Sequence, residues 1–240
     1  MNLLRRAGEA LVSLVFPPHC ALCSASVETG QYLCPECAEK AQFILPPFCR
    51  ICSQPFDGAI EGEFTCSNCA DRTFHFECAV AKYRATGVVR ELVHRFKYNS
   101  CVYLRQPLAD WLEATLADER IREQACDWLV PVPLHSARFR EREFNQAEVL
   151  AKLLAARAGM RVLPALQRIR YTTTQTRLDR EERMQNLRDA FRVRHNTRVS
   201  GSHLILVDDV FTTGSTVEEC ARVLKQAGAA SVRVITVARG

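Results

Sequence analysis

The sequence predicts an α/β domain built on a parallel sheet and preceded by a small cysteine-rich metal module. Three observations predict it. The run Leu204-Ile-Leu-Val-Asp-Asp-Val-Phe-Thr-Thr-Gly-Ser-Thr216, continued by Val217 to Gly228, reads as strand, loop and helix. Apolar runs suited to strands buried on both faces recur along the later chain, separated by segments of helical periodicity, as in a parallel sheet covered by helices. Four CxxC pairs crowd the first third of the chain. At 240 residues there is room for one full α/β domain and an appendage, divided here as an N-terminal helix over 1–16, a metal module over 17–75 and the sheet domain over 76–240.

The last strand-loop-helix unit carries the chemistry. His203 to Val207 is short, apolar and β-branched. Val217, Cys220, Ala221, Val223, Leu224 and Ala227 repeat at helical spacing, and Gly228 supplies the stop. Between them lie Asp208 and Asp209, then Thr212, Thr213, Gly214, Ser215 and Thr216, small hydroxyls and a glycine at a helix N-terminus. Backbone N–H groups and the positive end of the helix dipole make such a loop an anion site, and Gly214 would leave room for close backbone approach. The two carboxylates repel a phosphate and favour hydroxyls or a hydrated cation. The unit therefore fits a sugar phosphate with a metal nearby. A Gly/Thr/Ser-rich turn can also be a plain helix cap; the contiguity of acid pair, hydroxyl loop and helix start favours the ligand site. No GxxxxGK[ST] or GxGxxG occurs, which argues against a triphosphatase loop and a dinucleotide fold.

The cysteines describe the appendage. Cys20/Cys23, Cys34/Cys37, Cys49/Cys52 and Cys66/Cys69 are knuckles in a chain read as lacking a secretory signal, which points to metal and not to disulfides. Cys20, Cys23, Cys34 and Cys37 fit one tetrahedral site and Cys49, Cys52, Cys66 and Cys69 a second, with nested pairing as the alternative. Zinc is expected, two structural ions, with iron as the runner-up. His75 with Cys78 mimics a fifth knuckle. The first sixteen residues are basic and apolar, but Glu9 interrupts them and no cleavage site follows, so they read as an amphipathic helix. With no membrane-spanning apolar run, the expected location is the cytoplasm. Net charge is +5, and the arginines concentrate between Arg138 and Arg198, a face suited to phosphate or nucleic acid.

In chain order, Cys78 to Tyr83 reads as a strand, Gly87 to Tyr98 as a helix with Val88, Leu92, Val93 and Phe96 inward, and Leu104 to Ala117 as another. Lys97 and Tyr98 close the first helix, as ligand groups or as a solvated end. Trp128 to Pro133 is a strand that opens into an arginine-rich loop over 134–145. Asn145 caps a helix over Gln146 to Ala158, stopped by Gly159. Residues 171–186 are polar and arginine-rich without an apolar period, a loop over the active site or a solvated connection. Phe191-Arg-Val leads back to the anchor unit, and Ser231 to Val237 is a final strand.

VDDVFTTGST resembles the loop that binds 5-phosphoribosyl-1-pyrophosphate (PRPP) in type I phosphoribosyltransferases. Together with the knuckles, Phe96-Lys-Tyr98, LVPVPLH, Arg140-Glu-Arg-Glu-Phe-Asn-Gln146 and Asn186…Phe191, it is similar nearly end to end to the ComF family, including its GntX-type members: a double zinc ribbon before a type I phosphoribosyltransferase-like domain, linked to competence, DNA utilisation or gluconate uptake. The resemblance implies that Asp208 and Asp209 hold the ribose hydroxyls and act as the catalytic carboxylates, and that Thr212 to Thr216 hold the 5′-phosphate. It further implies that Pro133 and Arg138 meet the pyrophosphate with magnesium, that Gln175, Arg183 and Asn186 lie on a closing loop, and that Lys97 joins the substrate. The family's usual glycine before Phe-Asn-Gln is Glu143 here, which puts a tight turn in question. Three functions compete: a PRPP-dependent transferase, a non-catalytic binder of single-stranded DNA in uptake or processing, and a PRPP-sensing regulator.

Overall fold

The computed structural model describes residues 18–60, 62–98, 101–170 and 186–240; the helix expected over 1–16, and Gln175 and Arg183, lie outside the described residues. The metal module contributes α1 (Pro35–Glu39). The chain then runs β1 (Ala79–Arg84), α2 (Gly87–Tyr98), α3 (Arg105–Glu113), α4 (Glu119–Arg122), β2 (Trp128–Pro131), α5 (Ser136–Arg142), α6 (Gln146–Ala158), β3 (Leu166–Arg168), β4 (Phe191–Val193), β5 (His203–Phe211), α7 (Ser215–Gln226) and β6 (Ser231–Arg239). Among the described residues the main sheet is entirely parallel in the order β1-β6-β5-β2, while β3 and β4 form a separate antiparallel pair.

The two-residue period of β5 decides which helices cover which face. Leu204 and Leu206 pack with Val232 and Val234 of β6 and with Val217, Cys220 and Leu224 of α7. Ile205 and Val207 turn the other way, toward Leu92 and Phe96 of α2, Leu108 and Leu112 of α3, and Leu150 and Leu154 of α6. Every residue of β6 is buried, as a central parallel strand requires. One helix cannot cover a whole sheet face, and Cys49, Cys52, Cys66 and Cys69 complete the α7 side, inside the same cluster as Val130 and Leu204. Residues 42–44 cover the open edge of β1, where the Ile44 amide donates to the Lys82 carbonyl (2.8 Å) and the Arg84 amide to the Gln42 carbonyl (2.9 Å).

Two local expectations change. The arginine-rich stretch after β2 contains the helix α5 and is not a continuous loop, and none of its residues is buried. Its arginines and glutamates favour helix, but without a buried face there is no apolar period to announce it. The turn questioned at Glu143 does form: Glu143 closes α5 in the left-handed region at φ 65°. A side chain there is strained where glycine is not, so Glu143→Gly is expected to raise stability by about 1 kcal/mol. Urea unfolding at neutral pH checks it, and a lower midpoint would show that contacts of the Glu143 side chain outweigh the strain.

Candidate functional site

Open parallel sheets present ligands at the carboxyl ends of their strands. There β5 runs on past Asp208 and Asp209 to Phe211, and the chain turns through Thr212 and Thr213 into α7, whose N-cap is Gly214. A cleft of about 530 Å³ opens at this end, lined by Asp208, Asp209, Thr212, Thr213, Ser215 and Thr216, by Pro133 and Arg138 from the segment after β2, and by Lys97 and Tyr98 from the end of α2. Residues far apart in the sequence thus converge on one space. The Thr213 and Ser215 hydroxyls bond each other at 3.0 Å.

Gly214 is the exception among the described residues expected to bind substrate, because it does not line the cleft. It sits at φ 79°, and a Cβ there would lie 2.5 Å from the Phe211 ring. The position needs glycine for the turn and for packing over Phe211.

The end of α2 is not merely solvated. Lys97 Nζ lies 2.8 Å from Asp209 Oδ1, and Asp209 is buried. Asp208 Oδ1 accepts the Asp209 amide at 2.9 Å. Burial pushes the Asp208 carboxyl up to about 7, the Asp209 charge adds to the rise, and Lys97 and Arg168 only partly oppose it. In the free cleft this carboxyl holds its proton near neutrality, while a cation or ribose hydroxyls at the pair would favour the charged form.

Arg90, His94 and Gln146 also line the cleft without a ligand role read from the sequence, and so do Arg142 and Arg168 of the arginine-dense stretch from Arg138 to Arg198. For Arg90 and His94 a signal exists, since positions 90 and 94 share one helix face with Lys97. Gln146 ends the Arg140–Gln146 stretch that carries the family resemblance but takes no ligand role from it. It is 2% exposed at the first turn of α6, and its Nε2 has no hydrogen-bond partner among the described residues. Arg142 leaves Nε in the same condition while its Nη2 donates to the Tyr98 hydroxyl (2.9 Å). Asn145 caps α6 as expected, its Oδ1 accepting from the Ala147 amide (3.1 Å).

The knuckles pair sequentially. The Sγ atoms of Cys20, Cys23, Cys34 and Cys37 lie within 4.8 Å of one another, and those of Cys49, Cys52, Cys66 and Cys69 do the same. Four converging thiols without a further ligand fit structural zinc. His75 is not part of a fifth knuckle: its Nδ1 meets Glu218 Oε1 of α7 at 2.6 Å, while Cys78 is buried in the core on the other face of the sheet.

Residues 11–74 match the double zinc ribbon domain and residues 145–240 the phosphoribosyl transferase domain. The DNA utilization protein YhgH of Salmonella typhimurium is 33% identical over 92% of this chain and 89% of its own. Competence protein F of Haemophilus influenzae is 28% identical over 86% of this chain and 90% of its own, and competence protein ComFC of Bacillus subtilis 28% over 89% and 86%. The chain belongs to the ComF family. Its double zinc ribbon contains both four-cysteine groups, and its phosphoribosyltransferase-like domain contains β5, the hydroxyl loop and α7. Among the described residues of this ComF-family chain, no helix is long and apolar enough to cross a membrane.

Proposed function

We propose that this protein binds PRPP with magnesium in the cleft and transfers its phosphoribosyl group to an acceptor. The observation that carries the proposal is the acid pair Asp208 and Asp209 at the foot of the hydroxyl loop, with Lys97 seated on Asp209. Thr212, Thr213, Ser215 and Thr216 and the start of α7 take the 5′-phosphate, and the carboxylates take the ribose hydroxyls. Arg138 receives the pyrophosphate beside Pro133, and the unpartnered donors of Arg142 and Gln146 give it further hydrogen bonds. Gln175 and Arg183 are assigned to the same ligand from the segment over 171–185.

The cleft offers carboxylate and hydroxyl oxygens, the ligands a hard cation takes. Asp208 and Asp209 would hold magnesium through its water shell, and the ion would offset charge on the departing pyrophosphate. In the transfer the C1′–oxygen bond to pyrophosphate breaks as a bond to the acceptor forms. The carboxylates stabilise the positive charge that gathers on the sugar, and the arginines that on the leaving group. Lys97 neutralises Asp209 in the free cleft and is displaced toward phosphate when ligand arrives.

The alternative is a non-catalytic PRPP sensor or single-stranded DNA binder in DNA uptake, supported by the names of the competence and DNA utilization relatives. The transferase and the sensor share the ligand site and differ in turnover, whereas the DNA binder would hold its strand on the ribbon and the arginine-rich face. Reducing conditions that keep the thiols available to zinc suit a cytoplasmic setting for either. Calorimetric titration with Mg-PRPP tests the shared site: at about a hundred times the dissociation constant, ligand should add roughly 2.7 kcal/mol of stability, a rise of a few degrees in melting temperature. If PRPP, ribose 5-phosphate and nucleotides all leave the melt unchanged, the loop is only a helix cap. Pyrophosphate released in the presence of cell extract then separates transfer from sensing.

A further inference from the structure

The second four-cysteine group and the hydroxyl loop face each other across a cavity of about 370 Å³, and Arg239 is in its wall. Arg239 is the last residue of β6, paired in register with Phe211, and is 5% exposed. Its Nη1 donates to the Thr212 carbonyl at 2.8 Å and the Phe211 carbonyl at 3.2 Å. Its Nη2 points to Cys52 Sγ at 3.9 Å, and the guanidinium lies 5.1 Å from the centre of the Phe211 ring. One buried cation therefore holds both the backbone on which the hydroxyl loop is built and a thiol of the second metal site.

The chemistry at the two ends is unequal. The carbonyls of Phe211 and Thr212 accept from Arg239 whatever the state of the ribbon. Cys52 accepts weakly as a thiol; as a zinc ligand it would be a thiolate, and its bond to Arg239 would be charge-assisted. Without zinc the guanidinium is a buried cation lacking its counter-charge, which is costly. A second brace runs beside it, since the His75 amide donates to Glu218 Oε2 (3.0 Å) at the start of α7.

We infer that Arg239 is a positioning residue through which zinc at the Cys49, Cys52, Cys66 and Cys69 site holds the Phe211–Thr216 loop in its ligand-ready form. The inference rests on the reading of that loop as the phosphate site, but its first test does not need a ligand. In hydrogen exchange on the zinc-loaded protein, Arg239→Met is expected to speed amide exchange over residues 211–216 about tenfold while leaving β2 unchanged, with Arg239→Lys in between. The same variants should hold one of the two zinc ions about tenfold more weakly against a metallochromic chelator, the lower end of the usual scale for removing a group that supports a metal ligand. Should Arg239→Met fail to fold, Arg239→Lys and wild type carry the test. Coupling between binding free energies is reciprocal, so bound Mg-PRPP must raise the affinity of wild type for that same zinc ion in competition with the chelator. Unchanged exchange at 211–216 in a folded variant, or a zinc affinity indifferent to bound PRPP, overturns the coupling. Failure of PRPP to bind with loop exchange still responding to Arg239 overturns the ligand assignment and leaves the coupling standing.

Discussion

Cys52→Ser is expected to leave no soluble, folded protein, whereas Cys34→Ser should lose one zinc ion and keep the sheet. The two sites look alike in sequence and differ in what surrounds them. Cys20, Cys34 and Cys37 form a small cluster of their own with Leu22, Val27 and Leu33, and Cys23 is exposed. Cys49, Cys52, Cys66 and Cys69 are all buried within the core beside Val130, Leu204 and Val217. Their knuckle is also stitched to the sheet: the Ala79 amide donates to the Ile51 carbonyl (2.7 Å), Ser53 Oγ to the Ala79 carbonyl (2.9 Å), and Arg120 Nη1 to the Arg50 carbonyl (2.9 Å). A structural zinc contributes roughly 10–16 kcal/mol of apparent folding free energy in small metal modules, as much as or more than the whole stability of a typical domain. Losing it at the second site opens the sheet's own core; losing it at the first releases a peripheral lobe. Zinc per chain by elemental analysis, with soluble yield and circular dichroism, decides the matter. A soluble Cys52→Ser protein with one zinc and a native melt would show that the second ribbon is separable from the sheet.

What the sequence disclosed followed from how locally each feature is encoded. The helix from Gln146 to Ala158 was legible to the residue because its start and stop are written beside it, Asn145 as the cap and Gly159 in the left-handed conformation. The sulfur sites were legible because a CxxC knuckle needs no distant partner to be recognised. The helix α5 was not, having no buried side chain to set a period. Gln146 and Arg142 escaped for a different reason: a donor buried without a protein partner is a property of three-dimensional surroundings, and nothing in the chain's spacing marks it. Lys97 stood open between ligand group and solvated helix end until the fold set it against Asp209. Gly214 is legible as a required glycine, but the Phe211 ring that fills its side-chain direction is visible only once the turn is built.

Asp208→Asn is expected to make the protein more stable at pH 8 while abolishing the Mg-PRPP response. The Asp208 carboxyl has a folded-state pKa of about 7 against an ordinary 3.8, raised first by burial and then by the charge of Asp209. A group whose pKa is raised on folding favours the folded state below its unfolded value, and that contribution is lost as pH rises toward the folded value. For Asp208 the loss runs from about pH 4 to about pH 7 and then levels off, amounting to something on the order of 2–4 kcal/mol. Asparagine has nearly the same shape, can still accept the Asp209 amide and never ionises, so it escapes this cost. The stability gap between variant and wild type should therefore be small near pH 4, widen up to about pH 7 and stay constant above. The ribbon's own sensitivity to acid is common to both proteins and cancels in the difference. The same substitution removes a carboxylate from the pair assigned to the ribose hydroxyls, so the ligand-induced melting shift should vanish, a site holding function at the expense of stability. Denaturant unfolding of both proteins across this range is the measurement. A variant less stable than wild type at pH 8 would make Asp208 a structural carboxylate whose charge the fold requires, and would count against its role as a group held ready for ligand.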